Sequence, residues 1–155
     1  MRILIAVLLV AAAGCSSHQS AASPPASSKV TVAASDRQAC AGLYANLQQV
    51  SAAIQGSSEL IANSLDKSQL SERIAIEESQ LQQSADLMER GPVPPGLEAA
   101  DRDLVAALRA FSADFAKARG PATRGDFRAA AEAMTDTAVV QRILAASKTI
   151  EDACA

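Results

Sequence analysis

The sequence predicts an all-α fold, an antiparallel up-down-up-down four-helix bundle that spans residues 35–155 and follows a flexible N-terminal tether. Apolar residues recur at three- and four-residue steps in four segments of roughly 20–30 residues, the period of amphipathic helices. Alanine supplies 35 of the 155 residues and aromatic residues only 3%. Because alanine favours helix and buries little area, this composition predicts closely approaching helices rather than a thick aromatic core.

The first helix is expected from Ser35 to about Leu65. Ser35 with Gln38 three residues later matches a capping box. The apolar stripe comprises Cys40, Leu43, Leu47, Val50, Ile54, Ser57 and Ile61. The sequence Gly56-Ser57-Ser58 weakens this stripe in its middle.

The second helix is expected to start at a Ser68 cap and to close at Gly91 as the residue after the last turn. Its stripe comprises Leu70, Ile74, Leu81, Ala85 and Met88. The segment 91–96, Gly-Pro-Val-Pro-Pro-Gly, cannot be helical. It therefore predicts a turn between two antiparallel neighbours.

The third helix has the most regular stripe, and Gly120-Pro121 is expected to stop it. The stripe comprises Leu97, Ala100, Leu104, Leu108, Phe111, Phe115 and Ala118.

The last helix is expected to begin near Thr123, which Asp126 follows three residues later as in a helix cap. Its predicted apolar positions are Phe127, Ala131, Met134, Ala138, Ile143, Leu144, Ile150 and Cys154. The phase slips at Thr135-Asp136-Thr137, which predicts a bend or a wider buried face at that point.

The N-terminus carries a short apolar run after a single positive charge. Arg2 precedes the unbroken run Ile3–Val10, and Ala11-Ala12-Ala13-Gly14 leads to Cys15. The run falls far short of the ~20 residues that span a bilayer, so it is typical of a signal peptide. The segment resembles the bacterial lipoprotein signal, in which a cysteine after a small residue becomes the lipidated first residue of the mature chain. An ordinary secretory signal, cut after an Ala-x-Ala stretch, is the alternative.

The resemblance implies a signal peptide at residues 1–14 and a lipid anchor on Cys15. Cys15 would carry a thioether-linked diacylglycerol and an amide-linked third acyl chain, and two or more chains hold a protein stably on a membrane. The expected location is the extracytoplasmic face of the cell membrane. In a cell with two membranes, Ser16 after the lipidated cysteine would permit sorting to the outer membrane.

Residues 15–34 are expected to form a flexible tether between the lipid and the bundle. Serine, alanine and Pro24-Pro25 dominate the segment, and such a composition buries too little area to offset the entropy of ordering. The histidine of the chain, His18, lies here and is interpreted as a solvated residue.

With Cys15 lipidated, Cys40 and Cys154 remain as an even pair. Cys40 lies at the start of the first predicted helix and Cys154 at the end of the last, which an antiparallel four-helix bundle places at one pole on adjacent helices. The sequence therefore predicts a Cys40–Cys154 disulfide in an oxidising compartment, with two buried free thiols as the alternative.

The predicted bundle contains no constellation that would support catalysis, so we expect no enzyme and no cofactor. Without a histidine, neither a nucleophile–base pair nor a Glu-x-x-His metal site can be built. The carboxylates of the second helix are interpreted as a solvated face with Arg73 and Arg90 as partners, and a carboxylate metal site is the alternative. These carboxylates are Glu72, Glu77, Glu78, Asp86 and Glu89.

Two further acidic positions have a structural interpretation. Asp101 and Asp103, at the start of the third helix, are expected to stabilise its positive end. Arg124-Gly125-Asp126 spells an integrin-recognised tripeptide, but Asp126 is equally suited to capping a helix.

Two functions fit these features. The first is a binding or interaction module of the cell envelope, with an envelope or host protein as partner. The alternative is a carrier that takes a small apolar or lipid ligand between helices. The net charge of −3 and the scattered arginines give no footprint for nucleic acid.

Overall fold

The computed structural model describes residues 36–64 and 66–155, and the side chains of Ser57 and Leu60 fall outside this description. The predicted signal peptide, the lipidation site Cys15, the tether and the Ser35 cap also lie outside it. Within the described ranges every regular element is helical. The helices are α1 (Arg37–Ala62), α2 (Lys67–Arg90), α3 (Glu98–Arg124), α4 (Phe127–Ala133) and α5 (Thr137–Cys154). The all-helical prediction is thus confirmed, with five helices where four segments were expected.

The five helices pack into one helical bundle. α2 contacts α1 on one side and α3 on the other, and α5 contacts both α1 and α3. α4 packs on α3, and α2 and α3 share the most extensive interface. The most deeply buried side chains come from all four long helices and include Leu43, Ile74, Leu104, Leu108 and Ile150.

The first three predicted stripes agree well with the observed burial. On α2 every predicted apolar position is buried, from Leu70 to Met88. On α3 the stripe is buried except that Ala100 and Phe111 are partly exposed. Phe111 and Phe115 pack edge to face, with ring centroids 5.1 Å apart. On α1 the burial holds through Val50, after which Ile54 and Ile61 are only partly buried.

The prediction for the last segment was partly wrong. Phe127 and Leu144 were expected in the core, yet they are 52% and 57% exposed. Ala131 and Ala138 are exposed as well, whereas Ile150 is buried as predicted. Ala130, Val139 and Ala146, which were not predicted, are also buried. The segment divides into α4 and α5 at Met134–Asp136, where a bend or a wider buried face was expected.

Aspartate side chains cap α2, α4 and α5, and of these caps only that of Asp126 was anticipated from the sequence. Asp66, rather than Ser68, caps α2 by accepting a hydrogen bond from the Gln69 amide at 2.9 Å. Asp126 caps α4 through the amide of Ala129. Asp136 caps α5 through the amides of Ala138 and Val139 at 2.9 and 3.2 Å. Each carboxylate satisfies amides that have no partner within the helix.

The expectation that Gly120-Pro121 stops the third helix was also wrong. α3 continues for another turn to Arg124 and ends at Gly125, whose φ of 81° places it in the left-handed region. Ala122, one residue past the proline, is fully buried. Packing of this last turn therefore outweighs the hydrogen bond that Pro121 cannot donate.

The turn 91–96 connects α2 to α3 as predicted, but Gly91 is extended, with φ −69°, rather than left-handed. Gly91 matters because there is no room for a side chain at this position. A Cβ at Gly91 would lie 2.8 Å from the side-chain nitrogen of Asn46, so this turn packs closely against the first half of α1.

Candidate functional site

The Cys40–Cys154 pair lies at the pole of the bundle where α1 begins and α5 ends. The two sulfur atoms are within bonding distance, and the two Cα atoms are 5.3 Å apart, in the range that disulfides adopt. Cys40 is 5% exposed and packs with the core. The predicted pairing is therefore confirmed, although the cysteines are 114 positions apart in sequence.

The outer surface of the α2–α3 pair, which we call the α2–α3 face, carries cross-helix polar contacts along its length. Arg109 of α3 donates to Glu89 at 2.6 Å and to Asp86 at 3.5 Å. Farther along, Arg119 pairs with Glu78 at 3.4 Å.

Hydroxyl groups join the same two helices between and beyond these ion pairs. The Ser112 hydroxyl donates to the Glu78 carbonyl at 3.0 Å. The Ser71 and Thr123 hydroxyls lie 3.2 Å apart near the other end. The α2–α3 face is thus joined by polar contacts from one pole to the other.

Two shallow grooves open on the α2–α3 face. One, of about 440 Å3, is lined by Gln82, Asp86, Arg109, Ser112, Ala113 and Ala116. The other, of about 540 Å3, is lined by Lys67, Ser68, Ser71, Glu72, Ala75, Arg119 and Thr123. Both are open to solvent, and small side chains line them between charged residues at the edges. Such grooves accommodate protruding side chains of a partner better than an acyl chain, which needs an enclosed apolar cavity.

The carboxylates predicted on the second helix separate into different environments. Glu78, Asp86 and Glu89 pair with the α3 arginines, which the sequence prediction had not named, whereas Glu77 is buried. The guanidinium of Arg73 donates to the Ser64 hydroxyl at 3.2 Å. In the described part of the chain, no three His, Cys, Asp or Glu residues are arranged to hold a metal ion.

Two aspartates of α3 are buried, which the sequence reasoning missed. Asp101 is 6% exposed, and its Oδ1 has no hydrogen-bond partner among the described residues. Burial raises the pKa of Asp101 above its ordinary value, the nearby Glu89 carboxylate raises it further, and Arg102 opposes them. The expected stabilisation by the start of the helix is therefore smaller than the cost of removing this carboxylate from water.

Asp114, 4% exposed, has a different arrangement. Its Oδ1 accepts a 2.7 Å hydrogen bond from Lys117, and its Oδ2 has no partner in the described structure. This bond raises the pKa of Lys117, and Asp136 at the start of α5 adds to the effect. The three-residue spacing of Asp114 and Lys117, typical of an ion pair on one helix, is the sequence signal that could have indicated this contact.

Arg124-Gly125-Asp126 forms the junction of α3 and α4. Gly125 terminates α3, and the Asp126 carboxylate is engaged by the Ala129 amide at 3.0 Å. The capping interpretation of Asp126 is therefore confirmed.

In the described residues, no helix combines the length and the hydropathy that a membrane crossing requires. Comparison of the chain with protein-family models, with curated proteins and with solved structures finds no match.

Proposed function

We propose that this chain is a lipid-anchored extracytoplasmic protein that acts as an interaction module of the cell envelope. The observation that carries the proposal is the Cys40–Cys154 pair. A disulfide is typical of an exported protein, and this one leaves Cys15 as the single cysteine for lipidation, directly after the run of small residues that resembles a lipoprotein signal.

The arrangement of the bundle in this proposal is antiparallel, with α4 and α5 together forming the fourth segment. Three α2–α3 contacts support opposite directions for these helices: Arg109 meets Glu89, Arg119 meets Glu78, and Thr123 meets Ser71. Positions rise along α3 as they fall along α2. The joined ends of α1 and α5 support the same relation for that pair.

The partner-binding surface in this proposal is the α2–α3 face. It is rigid, because both of its helices bury apolar side chains from their first turns to their last. Its two grooves have charged rims over floors of alanine and serine. A protein partner would insert side chains into these grooves and exchange some of the exposed ion pairs for contacts of its own.

Metabolic labelling with an alkyne fatty acid tests the anchor. We expect the full chain to take up the label in bacteria, Cys15→Ser to lose it, and the matched variant Cys40→Ser to keep it. Labelling of the Cys15→Ser chain would contradict the proposal.

Site-specific photo-crosslinking in cells tests the interaction. A photoreactive residue at Gln82, in the groove beside Arg109, should form a discrete protein adduct that the double variant Arg109→Glu, Arg119→Glu abolishes. The same probe at Gln141, exposed on α5, is the control. Recovery of lipid alone at Gln82 would instead favour the carrier.

A further inference from the structure

The burial of side chains along α1 changes abruptly at Val50. In the first half of the helix, Cys40, Leu43, Leu47 and Val50 are all at most 5% exposed. From residue 51 to residue 62, none of the described side chains is buried. α2 and α3 behave differently, since buried side chains follow both helices from their first turns to their last.

Ile54 and Ile61 of the second half of α1 pack against the core only partly buried, and the side-chain hydrogen bonds described there are local. The Ser58 hydroxyl donates to the Ile54 carbonyl at 2.8 Å, and the Asn63 side chain donates to the Glu59 carbonyl at 2.8 Å. Both bonds stay within the helix and its cap. Hydroxyl bonds of this kind compete with the backbone ladder and favour bending of a helix.

The space around this half of α1 also indicates loose packing. A Cβ added at Gly56 would meet nothing within 4 Å, and a glycine inside a helix lowers its stability. A groove of about 260 Å3 separates α1 from α2 beside Val50 and Ala53.

We infer that α1 is a strap whose two halves differ in stability. The Cys40–Cys154 disulfide and the buried residues through Val50 hold its first half against the bundle. Its second half, residues 51–62, opens as a unit by local unfolding of the helix, while the chain on either side of it stays folded. The motion uncovers Ile54 and Ile61 while the α2–α3 pair stays closed, so the bundle has one mobile wall and one rigid wall.

Hydrogen–deuterium exchange of the full chain in detergent, followed by mass spectrometry, tests the strap. We expect amides of residues 51–62 to exchange at least ~10-fold faster than those of residues 41–50, at similar rates across the segment, because one opening exposes them together. Rates that rise only over the last turn of α1 would indicate fraying of a helix end and would overturn the inference.

Two matched glycine substitutions sharpen the test. Gly56→Ala adds a methyl group into open space, and it should slow exchange in residues 51–62 about five-fold, the factor that corresponds to the Gly-to-Ala difference in helix propensity. Gly120→Ala makes the same change at an exposed position of α3. The nearest atom to its new Cβ is a nitrogen of the flexible Arg124 side chain, at 3.5 Å. The control should leave residues 51–62 unchanged. Equal rates in Gly56→Ala and the unsubstituted chain would overturn the strap.

The disulfide gives a second, independent readout. In the double variant Cys40→Ser, Cys154→Ser, exchange in residues 41–50 should rise towards that of residues 51–62, with α3 peptides as the internal reference. Unchanged protection of residues 41–50, relative to α3, would show that the disulfide does not hold the first half of α1 against the bundle.

Discussion

The α2–α3 pair and α1 differ in how much of their length is buried and in what holds them to the bundle. α2 and α3 bury apolar side chains along their whole lengths and add ion pairs and hydroxyl contacts on their outer face. Among the described side chains of α1, only those of its first half are buried, and a disulfide fastens its start. Distributed packing gives a rigid wall, because opening any part exposes core. Packing concentrated in one half gives a wall whose other half opens at a lower free-energy cost.

Removal of the disulfide should have the largest effect on stability. The loop that it closes spans 114 positions, and a loop of about 100 residues corresponds to about 4.7 kcal/mol in the chain-entropy model. We expect the double variant Cys40→Ser, Cys154→Ser to lose about 4–5 kcal/mol of unfolding free energy, measured by urea denaturation followed by circular dichroism. The unsubstituted chain under reducing conditions is the control and should match the variant. A loss below ~1 kcal/mol would mean that packing alone holds α1.

The next largest effect distinguishes α2 from the second half of α1 by the stability that one substitution in each removes. Ile74 is fully buried on α2, whereas Ile61 is partly buried on α1. We expect Ile74→Ala to cost about 2–5 kcal/mol and Ile61→Ala less than half as much, since solvent already reaches that side chain. Urea denaturation at pH 7 measures both. Equal losses would show that the second half of α1 is as well packed as α2.

The contribution of Asp101 to the stability of the α2–α3 pair should be more favourable in acid than at neutral pH. Its pKa is raised in the folded protein, so its contribution is fully present below the ordinary carboxyl pKa and is lost as the pH rises through the higher folded value. Asp101→Asn should therefore raise the urea midpoint at pH 7 and leave it nearly unchanged at pH 3.

The matched control is Asp103→Asn, exposed in the same turn of α3. It should leave the midpoint at pH 7 nearly unchanged, because Asp103 is exposed and lies beyond the first turn of α3, where the helix end acts on a charge only weakly. If Asp101→Asn lowers the midpoint at pH 7, burial is not the dominant influence on this carboxyl.

The smallest effect concerns the exposed ion pairs of the rigid wall. Arg109 is half-exposed and contacts Glu89 and Asp86, and such pairs contribute little and are screened by salt. Arg109→Gln should lower the melting temperature slightly at low salt and not at all in ~1 M salt. Arg142→Gln, on the exposed side of α5, should cause no salt-dependent change. A salt-independent loss in Arg109→Gln would point to packing by its aliphatic stem instead.

Much of the fold could be predicted from particular residues. The Leu70–Met88 stripe on α2 and the Leu104–Phe115 stripe on α3 were recognisable because a 3.6-residue period places such residues on one face. The Gly-Pro-rich turn at 91–96 was recognisable because neither residue type continues a helix there. Of the candidate site residues, Cys40 and Cys154 could be paired in advance, while Cys15 stays a prediction outside the described residues.

What sequence reasoning missed depends on partners distant in the chain. Periodicity placed Phe127 and Leu144 in the core, but the packing of α4 and α5 on α3 leaves both exposed. Asp101 and Asp114 looked like solvated charges, and only neighbouring helices remove them from water. Glu78, Asp86 and Glu89 found their partners on α3 because ion pairing depends on which helices become neighbours.

The sequence by itself determined the helical class, the main apolar stripes and the cysteine pair. These follow from local propensity, from periodicity and from the positions of Cys40 and Cys154 at the start of the first predicted helix and the end of the last. Only the tertiary structure decided that α3 passes through Pro121, since burial of Ala122 outweighs a local penalty. It alone also decided that, among the described side chains of α1, full burial ends at Val50. Whether an apolar stripe is covered depends on the surface that faces it, and that surface comes from another part of the chain.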